Sequence, residues 1–272
     1  MNIIDAHLHF CKADGEYFDR IALAAGHEHS ETHLRMVFKQ YSIRMGVVMG
    51  NRELEPAFHR YPEFLRYCIG IDGSFYNRYG FDRVPELVEE NLRRPDCVGI
   101  KLYPGYCHSY VSDPRYEPVY ELAERYQKPV AIHTGLTAGT TALIKYSHPL
   151  TVDEVAVGHP RVQFVLCHIG NPWIPDAVAV MAKCPNVAAD LSGLLEGKLD
   201  MNRFFEEQSG YISYLKTWIT YLSDYSRLLY GTDWPLANVG DYIKLVEHII
   251  PEKYQEQVFF ENANRLYRLG LS

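Results

Sequence analysis

The sequence predicts an α/β fold of the (β/α)8-barrel type. Eight short apolar runs recur along the 272 residues, and a segment with helical spacing of apolar side chains follows each. Strands that alternate with helices pair in parallel, and eight such units over this length indicate a closed barrel rather than an open sheet. No glycine-rich phosphate-binding sequence follows the first run, which argues against the nucleotide-binding form of the open sheet.

The elements follow one another in a regular order. The second and third predicted strands end at Gly50-Asn51 and Asp72-Gly73, which favour turns. The predicted strands begin near residues 3, 43, 65, 97, 129, 162, 186 and 228. The predicted helices cover 31–41, 81–93, 116–126, 151–158, 177–183, 211–222, 239–249 and 252–269. The polar stretch 11–30 is interpreted as a long loop over a pocket, and no linker divides the chain, so residues 1–272 are expected to form one domain.

The composition restricts the function. The chain is 47% hydrophobic, with a net charge of −7 and a pI near 5.9, which argues against nucleic-acid or anionic-membrane binding and favours a small-molecule partner. Its six cysteines show no CxxC spacing, which fits a reducing cytoplasm. The sequence contains no apolar run of 18 residues. A homodimer is compatible with the sequence, which does not determine the oligomeric state.

Polar residues end most of the predicted strands. In a barrel of this kind the chemistry lies at the carboxyl ends of the strands. The residues at those ends are His7 and His9, Lys101, His133, His168, Asp190 and Asp233. Alternation of side chains places Asp5, His7 and His9 on one face of the first strand and Ile4, Ala6, Leu8 and Phe10 on the other.

The same alternation predicts which residues face the barrel axis on the later strands. It places small residues such as Ala131 and Ala188 beneath His133 and Asp190. On strand four it places Val98 and Ile100 outside, towards the helices. On strand six it places Leu166 inside with His168, and Val165, Cys167 and Ile169 outside. A lone histidine at the end of a strand is more often a packing residue, but polar residues at the ends of several converging strands favour a functional site. Three imidazoles and one carboxylate match the ligands of a catalytic zinc ion that keeps a position open for water.

These motifs resemble the metal-dependent amidohydrolase superfamily, in its amidohydrolase 2 branch, which includes enzymes similar to aminocarboxymuconate-semialdehyde decarboxylase. The resemblance covers essentially the whole chain. It rests on IDAHLH, GIKLYP, VAIHTG, VLCHIGNPW, NVAADLSG, YGTDWP and ENANRLYRL. It implies a single divalent metal held by His7, His9, His133 and Asp233, with zinc as the first choice and manganese as an alternative. It also implies His168 and Asp233 as the groups that move protons.

The role of Lys101 stays open. In two-metal members of the superfamily a lysine on strand four is carbamylated and bridges the ions, with the histidines of strands five and six on the second ion. In the branch that this sequence resembles, one metal is usual, and the lysine is expected to pair with an aspartate or a substrate carboxylate.

Four further residues are candidates for contact with the substrate. Arg52 follows strand two and could hold a carboxylate in a bidentate pair, although a surface role is the simpler interpretation. Tyr103 begins a tyrosine-rich loop after strand four that is expected to overhang the site. Trp173 and Trp234 follow strands six and eight and either line the site or pack nearby. The histidines at 27, 29 and 33 lie in the polar stretch and are expected at the surface.

The expected function is hydrolysis of a small amide, lactone or ester by metal-activated water. The first alternative is non-oxidative decarboxylation of a small aromatic or unsaturated acid, which the same residues could perform. A metal-free barrel that only binds a ligand is the second alternative.

Overall fold

The computed structural model describes residues 1–10, 15–51 and 53–272. Eight parallel strands form one sheet in sequential order. The strands are β1 (Ile3–Leu8), β2 (Ile43–Met49), β3 (Leu65–Ile71), β4 (Cys97–Leu102), β5 (Val130–Ile132), β6 (Phe164–Leu166), β7 (Val187–Asp190) and β8 (Leu228–Leu229). The segment after β8 joins β1 through hydrogen bonds from Ala6 N to Tyr230 O (2.9 Å) and from His9 N to Trp234 O (2.7 Å). The predicted (β/α)8 barrel is confirmed.

Helices surround the strands. They are α1 (Gly15–Ala24), α2 (Glu31–Gln40), α3 (Ser74–Tyr79), α4 (Arg83–Leu92), α5 (Glu117–Tyr126), α6 (Thr151–Gly158), α7 (Ile174–Lys183), α8 (Met201–Glu207), α9 (Ser209–Leu222), α10 (Val239–Ile249), α11 (Glu252–Glu256) and α12 (Asn262–Leu266). The helix predicted over 252–269 is interrupted by a π-helical turn, Gln257–Glu261. Within the described residues, no helix is long and apolar enough to cross a membrane.

Helix α1 corrects part of the prediction of a loop over 11–30, of which residues 11–14 lie outside the described residues. Phe18 and Ala22 are buried one turn apart on it, and Ala25 is buried just after its end. This i, i+4 spacing is helical, but the charged residues around it hide the pattern. The helix brings Phe18 over the end of β1, where its ring lies 6.0 Å from that of His9.

The apolar core has two parts. The larger part lies between the strands and the helices and contains Leu8 and Phe10 of the first strand segment, as predicted. The smaller part fills the barrel and includes Ile4 and Ala6, which were predicted to face the helices. The pairing of β1 with β2 shifts register between Asp5 and Leu8, and this irregularity breaks the period of two. Asp5 therefore does not share a face with the two histidines.

Two later strands also depart from strict alternation. On β4, Val98 joins the smaller core inside the barrel and not the outer one as predicted, next to a register shift in the pairing with β3. On β6, Val165 and Cys167 lie inside and Leu166 outside, the reverse of the prediction. Strands β5 and β7 alternate as predicted, with Ala131 and Ala188 inside.

Candidate metal centre and cavity

A cavity of about 790 Å³ opens at the carboxyl ends of the strands. Such a volume is typical of small-molecule sites. Most of the residues that the sequence places at strand ends line it. These are His7, His9, Lys101, His133, His168 and Asp233, and Tyr103 lines it as well.

Three of these side chains form a compact group at the end of β1. The ligand atoms of His7, His9 and Asp233 all lie within 4.8 Å of one another. His7 Nε2 lies 3.4 Å from Asp233 Oδ1, and His9 Nε2 lies 3.2 Å from the same oxygen. Two ligands at about 2.1 Å from a tetrahedral zinc ion are themselves about 3.4 Å apart, so these separations suit a zinc ion.

The tautomer of His7 supports the same interpretation. Its Nδ1–H donates to Asp190 Oδ2 at 2.8 Å, which leaves the lone pair of Nε2 directed at Asp233. His7 Nε2 and Asp233 Oδ1 are both buried, and neither has a hydrogen-bond partner of good geometry among the described residues. Two buried lone pairs that face each other are unfavourable unless a cation lies between them. The residues present therefore fit a divalent metal.

His168 reaches the cavity through an unusual turn. The chain leaves β6 in a 3-10 turn, Cys167–Gly170, in which His168 has a φ of 61° and Ile169 a φ of 43°. This left-handed geometry directs the His168 side chain into the cavity although Cys167 already occupies the inward position. His168 Nδ1 lies 2.8 Å from Ser192 Oγ.

Among the described residues, His133 is linked to this group by its contact with His168. Nδ1 of His133 lies 3.2 Å from Nε2 of His168, and Nε2–H of His133 donates to Leu136 O at 3.0 Å. The structure thus brings His7, His9 and Asp233 together and places His133 one imidazole away.

Burial and charge set the protonation of these groups. Burial lowers the pKa of His168 to about 4, so this imidazole is neutral at pH 7. Burial also lowers the pKa of His7 and His133. For Asp233, burial alone would raise the pKa, but the nearby His7, His9 and His168 hold it below its ordinary value. Asp233 is therefore a carboxylate.

Asp190 supports the cluster from β7. Besides His7, it accepts hydrogen bonds from His168 N at 3.0 Å and from both N (3.1 Å) and Oγ (2.5 Å) of Ser192. Burial would raise its pKa, but the hydrogen bond from His7 and the nearby charge of Lys101 hold that pKa below its ordinary value. A buried carboxylate with this many donors is a rigid support for both histidines.

Lys101 lies at the side of the cavity. It is 1% exposed, and its Nζ donates to Cys167 Sγ at 2.7 Å and lies 5.2 Å above the ring of Tyr103. Tyr103 donates to Gly50 O at 2.7 Å, which fixes its ring beside the ammonium group.

The two tryptophans that were predicted to contact the substrate, Trp173 and Trp234, do not line the cavity. Trp234 is fully buried, with its ring 5.3 Å from that of His29, and Trp173 packs 4.9 Å from His148. Arg52 lies outside the described residues.

The histidines of the polar stretch correct the expectation of a surface position. His27 is buried and its Nε2 accepts from Val239 N at 3.2 Å, at the start of α10. The side chain of His29 is also almost completely buried, at 4% exposed. Both histidines lie between the barrel and α1, a helix that the sequence did not predict, and this explains their burial.

Among the residues that hold the polar cluster in place, Ser192 and Cys167 were not predicted from the sequence. Ser192 follows Asp190 at the period of two and could have been found by extending the alternation of β7 by one step. The inward position of Cys167 could not have been predicted, because the neighbouring residues do not indicate the left-handed turn that follows it.

The fold and the cluster together define a class of protein: a (β/α)8 barrel with histidine and aspartate side chains suited to a metal at the carboxyl ends of its strands. Residues 4–269 match the Amidohydro_2 family, described as amidohydrolase, and the chain belongs to this family.

One curated relative is protein fluG of Emericella nidulans. It is 29% identical over 163 residues, and the match covers 53% of this chain and 18% of that protein. This chain therefore corresponds to less than a fifth of that relative.

Solved structures share the fold over their full length. A TIM-barrel protein from Bordetella bronchiseptica has a TM-score of 0.72 at 20% identity, with 98% of this chain and 99% of that chain covered. The 2,6-dihydroxybenzoate decarboxylase from Rhizobium has a TM-score of 0.67 at 15% identity, with both chains covered completely. An amidohydrolase from Burkholderia multivorans with bound zinc has a TM-score of 0.67 at 15% identity, with 98% and 99% covered. At these identities the likeness concerns the fold alone.

Proposed function

We propose that the protein is a metal-dependent hydrolase of a small, uncharged amide, lactone or ester. The observation that carries this proposal is the pair of buried lone pairs on His7 Nε2 and Asp233 Oδ1, which face each other at the floor of a cavity of substrate size. A bound cation would satisfy both atoms. The Burkholderia multivorans neighbour with bound zinc supports zinc as that cation.

His7, His9 and Asp233 would hold the metal, with His133 as a fourth ligand after rotation away from Leu136. A bound zinc ion supplies Lewis acidity and lowers the pKa of water from 15.7 to about 7. One ion is proposed. Lys101 donates to Cys167, so the lysine that would bridge a second ion is already engaged.

His168 is proposed as the group that moves the proton. It is neutral at pH 7 because burial lowers its pKa to about 4, and it lines the cavity next to the cluster. A neutral imidazole in this position can accept a proton from water and return it to the leaving group. Asp233 is the alternative proton acceptor. Ser192 and the backbone contact with Asp190 fix the ring in place.

The charge of the cavity wall favours an uncharged substrate. Apart from the histidines, the charged side chains among the described lining residues are Glu53, Asp72, Glu196, Asp233 and Lys101. Four of these five are acidic, and the ammonium group of Lys101 already donates a hydrogen bond to Cys167 Sγ. Glu53 is paired with Arg78 at 2.5 Å, but Asp72, Glu196 and Asp233 remain, so a substrate with its own carboxylate would meet negative charge there. Decarboxylation therefore ranks second, and it would require Lys101 to leave Cys167 and pair with the acid.

The test compares reaction types on zinc-loaded protein. A panel of lactones, esters and amides is assayed for acid release, and a panel of aromatic acids is assayed for release of carbon dioxide. We expect acid release only. Carbon dioxide release alone would replace hydrolysis by decarboxylation, and purified protein with well under one metal per chain and no response to chelator would favour a binding barrel.

Variants test the roles of the residues. His7→Ala and Asp233→Asn are expected to lose the metal and keep the fold. His168→Ala is expected to keep the metal and lose turnover by about 10²- to 10⁴-fold, the usual contribution of a general acid or base. Stoichiometric metal in both of the first two variants, or normal turnover in the third, would contradict the assignment.

A further inference from the structure

A second cavity, of about 470 Å³, lies at the opposite end of the barrel from the candidate metal centre. Its wall is built by residues that precede β5, β6, β7 and β8, together with residues of α12 and the segment after it. Five of its lining residues are basic: Lys128, Arg161, Arg227, Arg265 and Arg268. None of the described residues that line it is acidic. This concentration of positive charge contrasts with the net charge of −7 of the chain.

Three of these cations have structural partners. Arg227 pairs with Asp224 at 2.7 Å and donates to backbone carbonyls, and Arg161 pairs with Glu124 at 2.5 Å. Lys128 donates to three backbone carbonyls, among them Cys97 O at 2.6 Å. The lysine fixes the wall and does not offer a free ammonium group.

Arg265 and Arg268 differ from these three. Arg265 donates from one guanidinium nitrogen to Ser226 O (2.5 Å) and Asn262 Oδ1 (3.2 Å), which are uncharged. Arg268 donates from one nitrogen to Gln127 Oε1 at 2.7 Å, also uncharged. No carboxylate of the described residues forms an ion pair with either arginine. Each guanidinium group is thus held in position, while its charge and its remaining N–H groups are left for another partner.

We propose that this second cavity binds a small organic phosphate with two or more phosphate groups. Arg268 keeps its Nε–H and Nη2–H groups for paired hydrogen bonds to one phosphate, and Arg265 keeps its Nε–H and Nη1–H groups for single hydrogen bonds to another. The volume lies within the range of small-molecule sites and exceeds what one phosphate ion fills. Pro129, Pro185 and Leu266 supply an apolar wall for the carbon skeleton of such a ligand. The site is independent of the metal centre.

Fructose bisphosphate is the probe, because its two phosphates remove little zinc from the protein, and fructose is the matched uncharged probe. Binding is measured by isothermal titration calorimetry on the full-length, zinc-loaded protein at constant ionic strength. We expect a Kd for fructose bisphosphate at or below about 1 mM and no binding of fructose. Arg265→Gln and Arg268→Gln should each weaken binding about tenfold, the loss expected for one charge-assisted contact.

Arg203→Gln is the control, because Arg203 is an exposed arginine on α8 paired with Glu207 and remote from this cavity. It should bind the probe like the unchanged protein. If Arg265→Gln fails to fold, Arg268→Gln still tests the proposal, because the hydrogen bond that Arg268 donates goes to Gln127, which is exposed. Two results would overturn the proposal. One is absence of binding at several times 1 mM, roughly the weak end of specific small-molecule affinity. The other is equal affinity of all three variants for the probe.

Discussion

Asp190→Asn is expected to weaken metal binding although Asp190 is not among the proposed ligands. Oδ1 of Asp190 accepts three donors, the N–H groups of His168 and Ser192 and the hydroxyl of Ser192. These donors would hold the carbonyl oxygen of an asparagine at the Oδ1 position, so its NH2 group would take the place of Oδ2. There it would face Nδ1–H of His7, which is 2.8 Å away.

Two donors cannot share that contact, so His7 would move its proton to Nε2 and lose the lone pair directed at the metal position. Loss of such a support typically costs about 10- to 100-fold in metal affinity.

The assay is the zinc dissociation constant, measured by competition with a chromophoric chelator. Ser192→Ala is the matched control, because it removes one partner of Asp190 and leaves the contact with His7 intact. It should bind zinc as the unchanged protein does. Unaltered zinc affinity in Asp190→Asn would refute the role of the His7 tautomer.

Two further predictions concern backbone and pH. Gly193 has a φ of 64°, and a Cβ there would lie 2.5 Å from Nδ1 of His168, so Gly193→Ala should displace that ring and lower kcat/KM about a hundredfold. In Gly210→Ala the added Cβ meets nothing within 4 Å, so kcat/KM should not change, and equal values in the two variants would contradict the reasoning. Burial and the neighbouring His33 lower the pKa of His27 from 6.5 to about 4. Its neutral Nε2 accepts from Val239 N. The fold favours the neutral form, so this stability is complete above pH 6.5 and is lost as the pH falls towards 4, by about 2–3 kcal/mol. Urea unfolding at pH 7 and pH 4 should show this extra loss relative to His27→Gln, and an identical loss in both proteins would exclude it.

The order of the strands and of most helices could be predicted because each strand is a mainly apolar run and most helices show their own periodicity. The inward residues of β5 and β7 followed from the same alternation. The inward residues of β1 and β6 did not follow from it. In β1 a backbone irregularity between Asp5 and Leu8 interrupts the period of two, and after β6 the left-handed residues that follow Cys167 do so. Such features are decided by tertiary hydrogen bonds, which the sequence pattern does not contain.

The turn at His168 and the orientation of His7 depend on the same carboxylate. Two consecutive non-glycine residues with positive φ each cost about 1–3 kcal/mol, and such strain persists only where surrounding contacts hold it. The contact here is the N–H of His168, which donates to Asp190 Oδ1 while Oδ2 accepts from His7. One buried aspartate on β7 therefore positions a proposed ligand on β1 and the proposed proton carrier after β6. A change that moves β7 relative to β1 would disturb both histidines together, so we expect metal affinity and turnover to fall in parallel in such variants.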